Sequence, residues 1–340
     1  MVILLVILGI SALILIHELG HFLVAKLFKV KVEEFGFGFP PRLFSFRRGE
    51  TLYSFNLLPF GGFVRLLGET PDQPVPVAER ARSFGAQAVG KRAQIILAGV
   101  VMNFLLGWLI ISSVFMIGVP KTLLVTEVVP QSPAAELQML AGDQILGFET
   151  AEKFIAFIQA NKGKEIVLEL RRAGEPQTIR VTPRLDPPAG QGALGVAVTD
   201  VGLDQQPVGQ SLVEGFKTSF YIVGAIFSGL YHLLLTLVSQ QTLLPGFVGP
   251  IGIFGVANQS ASLGMVYLLQ LIGLISLNLF ALNILPFPAL DGGRFLFLLL
   301  EKLKGSPLSP KFERSANAAG FLVLILLMLA VTVRDVVHLF

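Results

Sequence analysis

The first 28 residues form an apolar run that is long enough to cross a bilayer, yet the run contains two histidines and a glutamate. Residues 15–21 read LIHELGH between stretches of Leu, Ile, Val, Ala and Phe. About 20 apolar residues span the hydrocarbon core of a membrane. An ionisable side chain at the bilayer centre costs about 2.5–3.5 kcal/mol on insertion scales, so it usually has a function. We therefore predict a transmembrane helix over residues 1–28 that carries a functional site.

The composition of the whole chain agrees with a membrane protein. Hydrophobic residues make up 53% and charged residues 14% of the 340 residues, whereas soluble domains carry about 25% charged residues. Further apolar segments predict transmembrane helices over 93–119, over 265–293 and within 294–340. The net charge of +3 is too small to indicate a nucleic-acid partner. Cysteine is absent, so any metal site must use His, Asp or Glu.

The charge of the connecting segments predicts their orientation. Residues 26–92 hold 11 Lys/Arg against six acids, residues 120–210 hold eight against 11, and residues 294–314 hold five against two. Cytoplasmic loops carry an excess of Lys and Arg. We therefore expect 26–92 and 294–314 on the cytoplasmic side and 120–210 on the outside.

Two of these segments have patterns of folded structure. Within 29–92, local alternation broken by Gly and Pro predicts short strands over 32–66, and the aromatic density indicates a β region that dips into the membrane face. A separate extramembrane α+β domain is predicted over 120–200. Its predicted elements are strands at 122–129, 165–171 and 176–182 and a helix near 150–161.

The HExxH pattern places two imidazoles on one face of the first helix. His17 and His21 are four residues apart, so both can reach one ion. A catalytic zinc site uses three protein ligands, and Glu18 then has the position of a general base. The alternative is a chance match in which the three side chains form a satisfied polar cluster. The apolar setting favours the metal site.

Asp291 is the candidate third ligand. No charged residue occurs from Thr218 to Leu290, and Asp291 ends that run in the sequence NILPFPALDGGRF. The two following glycines permit a tight turn or a close backbone approach, and a plain Asp-Gly turn is the alternative interpretation. His17 lies roughly 24 Å along its helix, near the cytoplasmic end. Asp291 is expected near the same side, and this similar depth favours a site that they share.

The connector 201–264 decides whether that site can assemble. Its stretch 216–238 is apolar enough to span, but polar residues recur in it at helical spacing. These residues are Lys217, Tyr221, Ser228, His232, Thr236 and Ser239. We predict an amphipathic helix in the membrane interface, because a crossing helix would put Asp291 on the wrong face.

The two motifs together resemble the signature of the site-2 protease family. The match to the bacterial four-span regulator-of-sigma-E type of intramembrane zinc protease extends over nearly the whole chain. The segments GFGFPPRL, PFGGFVRLLGE, SFGAQAVGKRAQIILAG and VGPIGI occur in the same order. The resemblance implies an α-helical integral membrane protein of the bacterial inner (plasma) membrane. The resemblance also implies four transmembrane helices, a membrane-dipping β region and an inserted extramembrane α+β PDZ-like domain.

The resemblance also implies the roles of individual residues. One zinc ion would be held by His17, His21 and Asp291, with Glu18 as the catalytic base. The substrate backbone would be held by residues of the third helix and of the β region: Asn278, Asn283, Gly61 and Gly62. Hydrogen bonding between helices is the alternative for the two asparagines and fits Asn103 better still. A tight turn is the alternative for the glycines.

The segment VVPQSPAAELQMLAGDQILGF is similar to part of a PDZ module, and GALGV at 192–196 resembles a carboxylate-binding loop moved to the end of the domain. Gln138-Met139 stands where that family usually has Gly-Leu. Because of this departure, a filter that excludes substrates with bulky outside domains is expected at least as much as the binding of a peptide by this domain.

The leading interpretation is an intramembrane endopeptidase that cuts single-span membrane proteins, such as anti-sigma factors and remnant signal peptides, within the lipid bilayer. The second interpretation is a catalytically silent scaffold that recruits partners through its PDZ-like domain. A scaffold needs none of the four residues His17, Glu18, His21 and Asp291. A transporter or metal carrier is the third, and it predicts polar residues spread over several helices.

Overall fold

The computed structural model describes residues 2–70, 74–172, 174–188, 190–240 and 249–337. The helices are, in chain order, α1 Val2–Leu27, α2 Val89–Ile117, α3 Pro133–Glu136, α4 Ala151–Ala160, α5 Val208–Gln240, α6 Pro250–Leu263, α7 Met265–Asn283, α8 Asp291–Lys304 and α9 Pro310–Val337. The strands are β1 Val32–Arg48, β2 Thr51–Leu66, β3 Val119–Val128, β4 Gln144–Ile145, β5 Ile166–Arg172, β6 Glu175–Val181 and β7 Val196–Leu203.

The chain divides into two compact units. The first comprises Met1–Ile111, Gly215–Asn258 and Leu269–Phe340, and the second comprises Ser112–Glu214 and Gln259–Leu268. Among the described residues, four helices are long and apolar enough to cross a membrane, namely α1, α2, α7 and α9. The predicted class of α-helical membrane protein is therefore confirmed.

The sequence predicted one continuous transmembrane segment over 265–293, but the helix is interrupted between α7 and α8. Pro286 and Pro288 lie in the break, where they remove backbone donors and disfavour helical conformation at the residues before them. Gly292 and Gly293 do not form a connecting Asp-Gly turn between two elements. They lie buried in the first turn of α8, where a Cβ would come within 2.2 and 2.1 Å of the carbonyl oxygens of Leu285 and Phe287. The close-approach interpretation of the two glycines is thus correct.

Helix α8 also replaces a predicted loop after residue 293. Its 14 residues form an amphipathic helix that ends at Gly305, whose φ of +76° is the left-handed conformation common after helix ends. Lys302 and Lys304 lie in its last turn, where positive charge is favourable. The fourth apolar helix, α9, then begins at Pro310.

Strands β1 and β2 form a two-stranded antiparallel hairpin. The strands are 17 and 16 residues long, but each is bent into shorter paired segments. Residues 34–37 pair with both 52–55 and 62–65, and residues 42–48 pair with 51–56. The predicted short strands over 32–66 are therefore present as these segments. Register shifts occur along the pair, and such bulges bend a sheet. One is near Gly38, whose φ is +78° and whose Cβ would lie 2.6 Å from the Leu58 carbonyl oxygen. The middle of β2 contacts α1, since the Ser11 hydroxyl donates to the Pro59 carbonyl oxygen at 2.6 Å.

A small apolar core fixes the base of the hairpin against the helices. Its members come from α1, the hairpin, α2 and α8 and the segments between them. They are Ala25, Val30, Val32, Leu66, Phe84, Ile95, Ile96 and Leu298. Burying a side chain of this size contributes about 1.5–3 kcal/mol. This cluster therefore holds together the elements that carry the HExxH motif and Asp291.

The second unit contains a five-stranded antiparallel sheet in the order β6-β5-β4-β3-β7. The predicted strands and helix of this domain are confirmed as β3, β5, β6 and α4, with ends shifted by a few residues. The sequence did not predict β7, which begins within GALGV and runs three residues past 200. Gln138 has a φ of +55°, which explains why a glycine suits that position, and Met139 is buried in the core.

Helix α5 is a single helix of 33 residues that includes the predicted stretch 216–238. It is not among the four span candidates. Its residues Phe216 and Phe220 pack edge-on against Phe104 of α2. The interfacial location of this helix stays a prediction.

Candidate active site

Two histidines of α1 and an aspartate far away in sequence meet between α1 and the start of α8. Asp291 Oδ2 lies 3.0 Å from His17 Nε2 and 3.4 Å from His21 Nε2. The two Nε2 atoms are 3.2 Å apart. Each of the three side chains is only 11–12% exposed. Among the described residues, they form the one group of His, Asp and Glu side chains with metal-binding spacing.

The triangle of ligand atoms fits a zinc ion. Zinc binds His nitrogen at about 2.0–2.1 Å with tetrahedral geometry, which places neighbouring ligand atoms roughly 3.3 Å apart. The three observed edges of 3.0, 3.2 and 3.4 Å bracket that spacing. Asp291 Oδ2 is moreover buried, and apart from the two Nε2 atoms it has no hydrogen-bond partner in the described structure. A buried carboxylate oxygen is costly unless a partner or an ion neutralises it.

The outward-facing ring nitrogens also have partners. His21 Nδ1 lies 2.8 Å from the Ile95 carbonyl oxygen, and His17 Nδ1 lies 3.1 Å from Asn103 Nδ2. Both partners belong to α2. Metal-binding histidines almost always use their second nitrogen in this way. The sequence did not single out these two contacts, because nothing local in α2 identifies which residue faces a histidine of another helix.

Glycine makes the close contact between α1 and α2 possible. A Cβ at Gly20 would lie 2.4 Å from the Ala98 carbonyl oxygen, and one at Gly99 would lie 2.3 Å from His21 Nε2. Any side chain at either position would separate the helices or displace the imidazole. These positions therefore set the distance between the histidines and α2.

Two cavities adjoin the cluster, and Glu18 lines both of them. The smaller, of about 100 Å³, also includes His17, His21 and Asp291. The larger, of about 270 Å³, includes His17, Asp291 and Asn283. Glu18 thus borders both of these cavities beside the three ligand atoms. Water and a peptide group have room beside it.

An ion pair forms one wall of the smaller cavity. Arg294, one turn after Asp291 in α8, donates to Glu69 at 2.6 Å. The pair connects α8 to the segment that follows β2. The sequence analysis identified neither residue as part of the site, because nothing in the sequence shows that Arg294 and Glu69 are close together.

The predicted substrate-binding residues are distributed differently. Asn283 lines the larger cavity. Gly62 lies against Glu18, while a Cβ at Gly61 would meet the ring of Phe39 at 2.3 Å. Asn278 is exposed, its amide donates to the Leu274 carbonyl oxygen at 3.0 Å, and it lines neither cavity. The structure therefore brings Asn283 and Gly62 to the site but not Asn278.

A HExxH helix and a distant aspartate that meet within apolar helices define the class of membrane-embedded metallopeptidases. The chain belongs to peptidase family M50, whose family model matches residues 5–327. A Clostridium perfringens protein provisionally named as a zinc metalloprotease is 35% identical over 99% of both chains. Zinc metalloprotease RasP of Geobacillus kaustophilus is 28% identical, over 96% of this chain and 95% of its own.

The regulator of sigma-W protease RasP of Bacillus subtilis is also 28% identical, over 97% of both chains. The predicted family is thereby confirmed. The chain is a membrane-bound zinc metalloprotease, and its cofactor is zinc.

Proposed function

We propose that this zinc metalloprotease cuts its substrates within the membrane, with Glu18 as the general base and a ligand set of His17, His21 and Asp291. The observation that carries the proposal is the triangle of two Nε2 atoms and one carboxylate oxygen with edges of 3.0–3.4 Å. Two of its corners lie on a helix that is apolar enough to span a bilayer. Glu18 lines both adjoining cavities.

Zinc supplies Lewis-acid chemistry when bound, which polarises a carbonyl and makes water more acidic. Glu18 accepts the proton of the attacking water and returns it to the leaving amine. Asn283 lines the cavity on the Asp291 side, where its amide can donate to a developing oxyanion or accept from a peptide N–H. Asn278 would join it only after its side chain rotates away from Leu274.

The hairpin is proposed to present the substrate in extended form. A helical substrate hides its peptide groups in its own hydrogen bonds, and an exposed strand edge captures a peptide by β-addition. The contact of Gly62 with Glu18 supports a role for β2 beside the catalytic base, with Gly61 next to it. Exposed apolar residues on the hairpin, among them Phe39, Phe44 and Leu57, support the proposal that it dips into the membrane face.

The orientation follows from the charge pattern. We propose a bacterial inner-membrane protein with 29–92 and the active site toward the cytoplasm and 120–200 outside, because 26–92 is the basic segment. The domain over 120–200 is proposed to be PDZ-like. Its outer strand β7 begins in the GALGV loop and offers an edge for a peptide. Exclusion of substrates with bulky outside domains is the second role proposed for it.

The substrates are proposed to be single-span membrane proteins that have already been shortened outside. A relative whose name makes it a protease that regulates sigma-W supports anti-sigma factors as one group, and remnant signal peptides are the other. The test compares matched cells that express wild type or Glu18→Gln, with quantitative proteomics of membrane fragments. Truncated single-span proteins should accumulate only with Glu18→Gln. Identical membranes would overturn the proposal and favour the scaffold.

A further inference from the structure

The two histidines of the cluster differ in what fixes their tautomers. His21 Nδ1 faces the Ile95 carbonyl oxygen, which can only accept a hydrogen bond. The proton of His21 therefore lies on Nδ1, and Nε2 keeps a lone pair for a ligand. His17 Nδ1 instead faces the carboxamide of Asn103. A carboxamide offers a donor at one end and an acceptor at the other, and the two are interchanged by a half-turn.

Asn103 is held firmly in place. It is fully buried, and its main-chain oxygen accepts from the buried Ser276 hydroxyl at 2.8 Å. Its side-chain Oδ1 has no hydrogen-bond partner within the described structure. Leaving such a buried acceptor unpaired is unfavourable. With the amide turned so that Oδ1 faces the imidazole, Oδ1 accepts from Nδ1–H, and His17 Nε2 keeps its lone pair for an ion that it would share with Asp291 and His21.

We infer that Asn103 is a positioning residue for zinc binding: its Oδ1 accepts from His17 Nδ1–H and so fixes the tautomer and ring orientation of that ligand. The inference rests on the ligand set proposed above. It assigns to Asn103 the role that the Ile95 carbonyl has for His21. Loss of such an outer partner weakens metal binding about 10–100-fold.

Two substitutions separate this role from packing. Asn103→Leu keeps a similar volume but removes the acceptor, and Asn103→Asp keeps the acceptor and removes the donor. The full chain is purified in detergent, its zinc affinity is measured by competition with a chelator, and thermal unfolding of the metal-free form is followed in parallel. Asn103→Leu should bind zinc about 10–100-fold more weakly, whereas Asn103→Asp should stay within about threefold of wild type because it still accepts from Nδ1–H.

Ser276→Ala is the matched control, because it removes the other contact of Asn103 without changing what faces His17. Its zinc affinity should equal that of wild type. If Asn103→Leu does not fold, Asn103→Ala removes the same acceptor without adding bulk. Unchanged zinc affinity in the variant without the acceptor, or equal losses in it and Asn103→Asp, would overturn the inference. A lowered unfolding temperature alone would mean a packing role.

The ligand set is tested in the same assay. His17→Ala and Asp291→Asn should both abolish tight zinc binding. If they do so while Asn103→Leu binds zinc normally, only the role of Asn103 fails. If they also bind zinc normally, the proposed site itself fails.

Discussion

Gly62 in β2 lies directly against Glu18 in α1. A Cβ at Gly62 would be 3.1 Å from Glu18 Cγ and 3.3 Å from the Gly36 carbonyl oxygen. The hydrogen bond from Ser11 to the Pro59 carbonyl oxygen joins the hairpin to the same helix. The hairpin and the proposed catalytic carboxylate therefore have linked positions, and space between them is available only because residue 62 has no side chain.

Gly62→Val should abolish most activity without removing zinc. The added side chain would push Glu18 away from the reacting groups, and a displacement of about 1 Å costs roughly 100-fold in rate. Cleavage of a single-span substrate and zinc content are measured on the same purified sample. Gly90→Ala is the control, because a Cβ there meets nothing within 4 Å. Equal activity in the two variants would show that the contact has no catalytic role.

Asp291→Asn should lose zinc rather than merely slow the reaction. The amide removes the negative charge that faces both Nε2 atoms at 3.0 and 3.4 Å, and zinc prefers a carboxylate oxygen as its third ligand here. Elemental analysis after dialysis should give about one zinc per chain for wild type and far less for Asp291→Asn. Arg294→Gln, one turn further along α8, should keep its zinc. A full complement of zinc in Asp291→Asn would exclude this residue as a ligand.

Chelation should inactivate the wild-type enzyme reversibly. Removal of zinc leaves Glu18 and the cavities in place but takes away the Lewis acid, so added zinc should restore cleavage. Restored activity in wild type and none in His21→Ala at the same zinc concentration is the expected pair of results. Full activity of the thoroughly metal-free enzyme would contradict a zinc mechanism.

The stability of the second unit should depend on pH through Asp143. Burial raises the pKa of Asp143, but the Arg172 guanidinium at 2.6–2.7 Å and the Leu140 N–H lower it by more, so the pKa lies below its ordinary value. A lowered folded-state pKa stabilises the fold at a pH above the unfolded value. That contribution is lost as the pH falls through the folded value.

Hydrogen exchange of β5 in the full chain, corrected for intrinsic rates, measures this effect. Protection should be constant near neutral pH and should fall as the pH drops below about 4, the ordinary range for Asp. Arg172→Gln should reduce protection already at neutral pH, because the nearly inaccessible carboxylate loses its partner. Lys153→Gln, which removes an exposed ion pair with Glu149, should change nothing. An unchanged profile in Arg172→Gln would refute the role of the pair.

The cluster of His17, His21 and Asp291 was predictable, because helix geometry relates the two histidines and the membrane limits the depth at which an acid can join them. The spacing of His17 and His21 follows from helix geometry, and the depth argument selected Asp291 as the residue that ends a long uncharged run. The strands of the 120–200 domain were predictable from their alternation. Strand β7 was missed because its residues do not alternate clearly and its pairing with β3 is a long-range contact.

Contacts between helices were not predictable from one sequence. The sequence predicts that Asn103 forms a hydrogen bond between helices. Only the packing of α2 on α1 shows that His17 is its partner. The helical state of Gly292 and Gly293 depends on how closely the backbone of Leu285 and Phe287 packs on the first turn of α8. The pairing of residues 34–37 with both 52–55 and 62–65 consists of contacts that a pattern of Gly and Pro does not specify.

The most direct test of intramembrane cleavage uses the purified enzyme in lipid vesicles together with a single-span substrate, and mass spectrometry locates the cut. We predict a zinc-dependent cut inside the apolar segment of the substrate, which Glu18→Gln abolishes while it retains its zinc. A cut only in the flanking polar segments, or a cut that persists in Glu18→Gln, would contradict intramembrane cleavage with Glu18 as the general base.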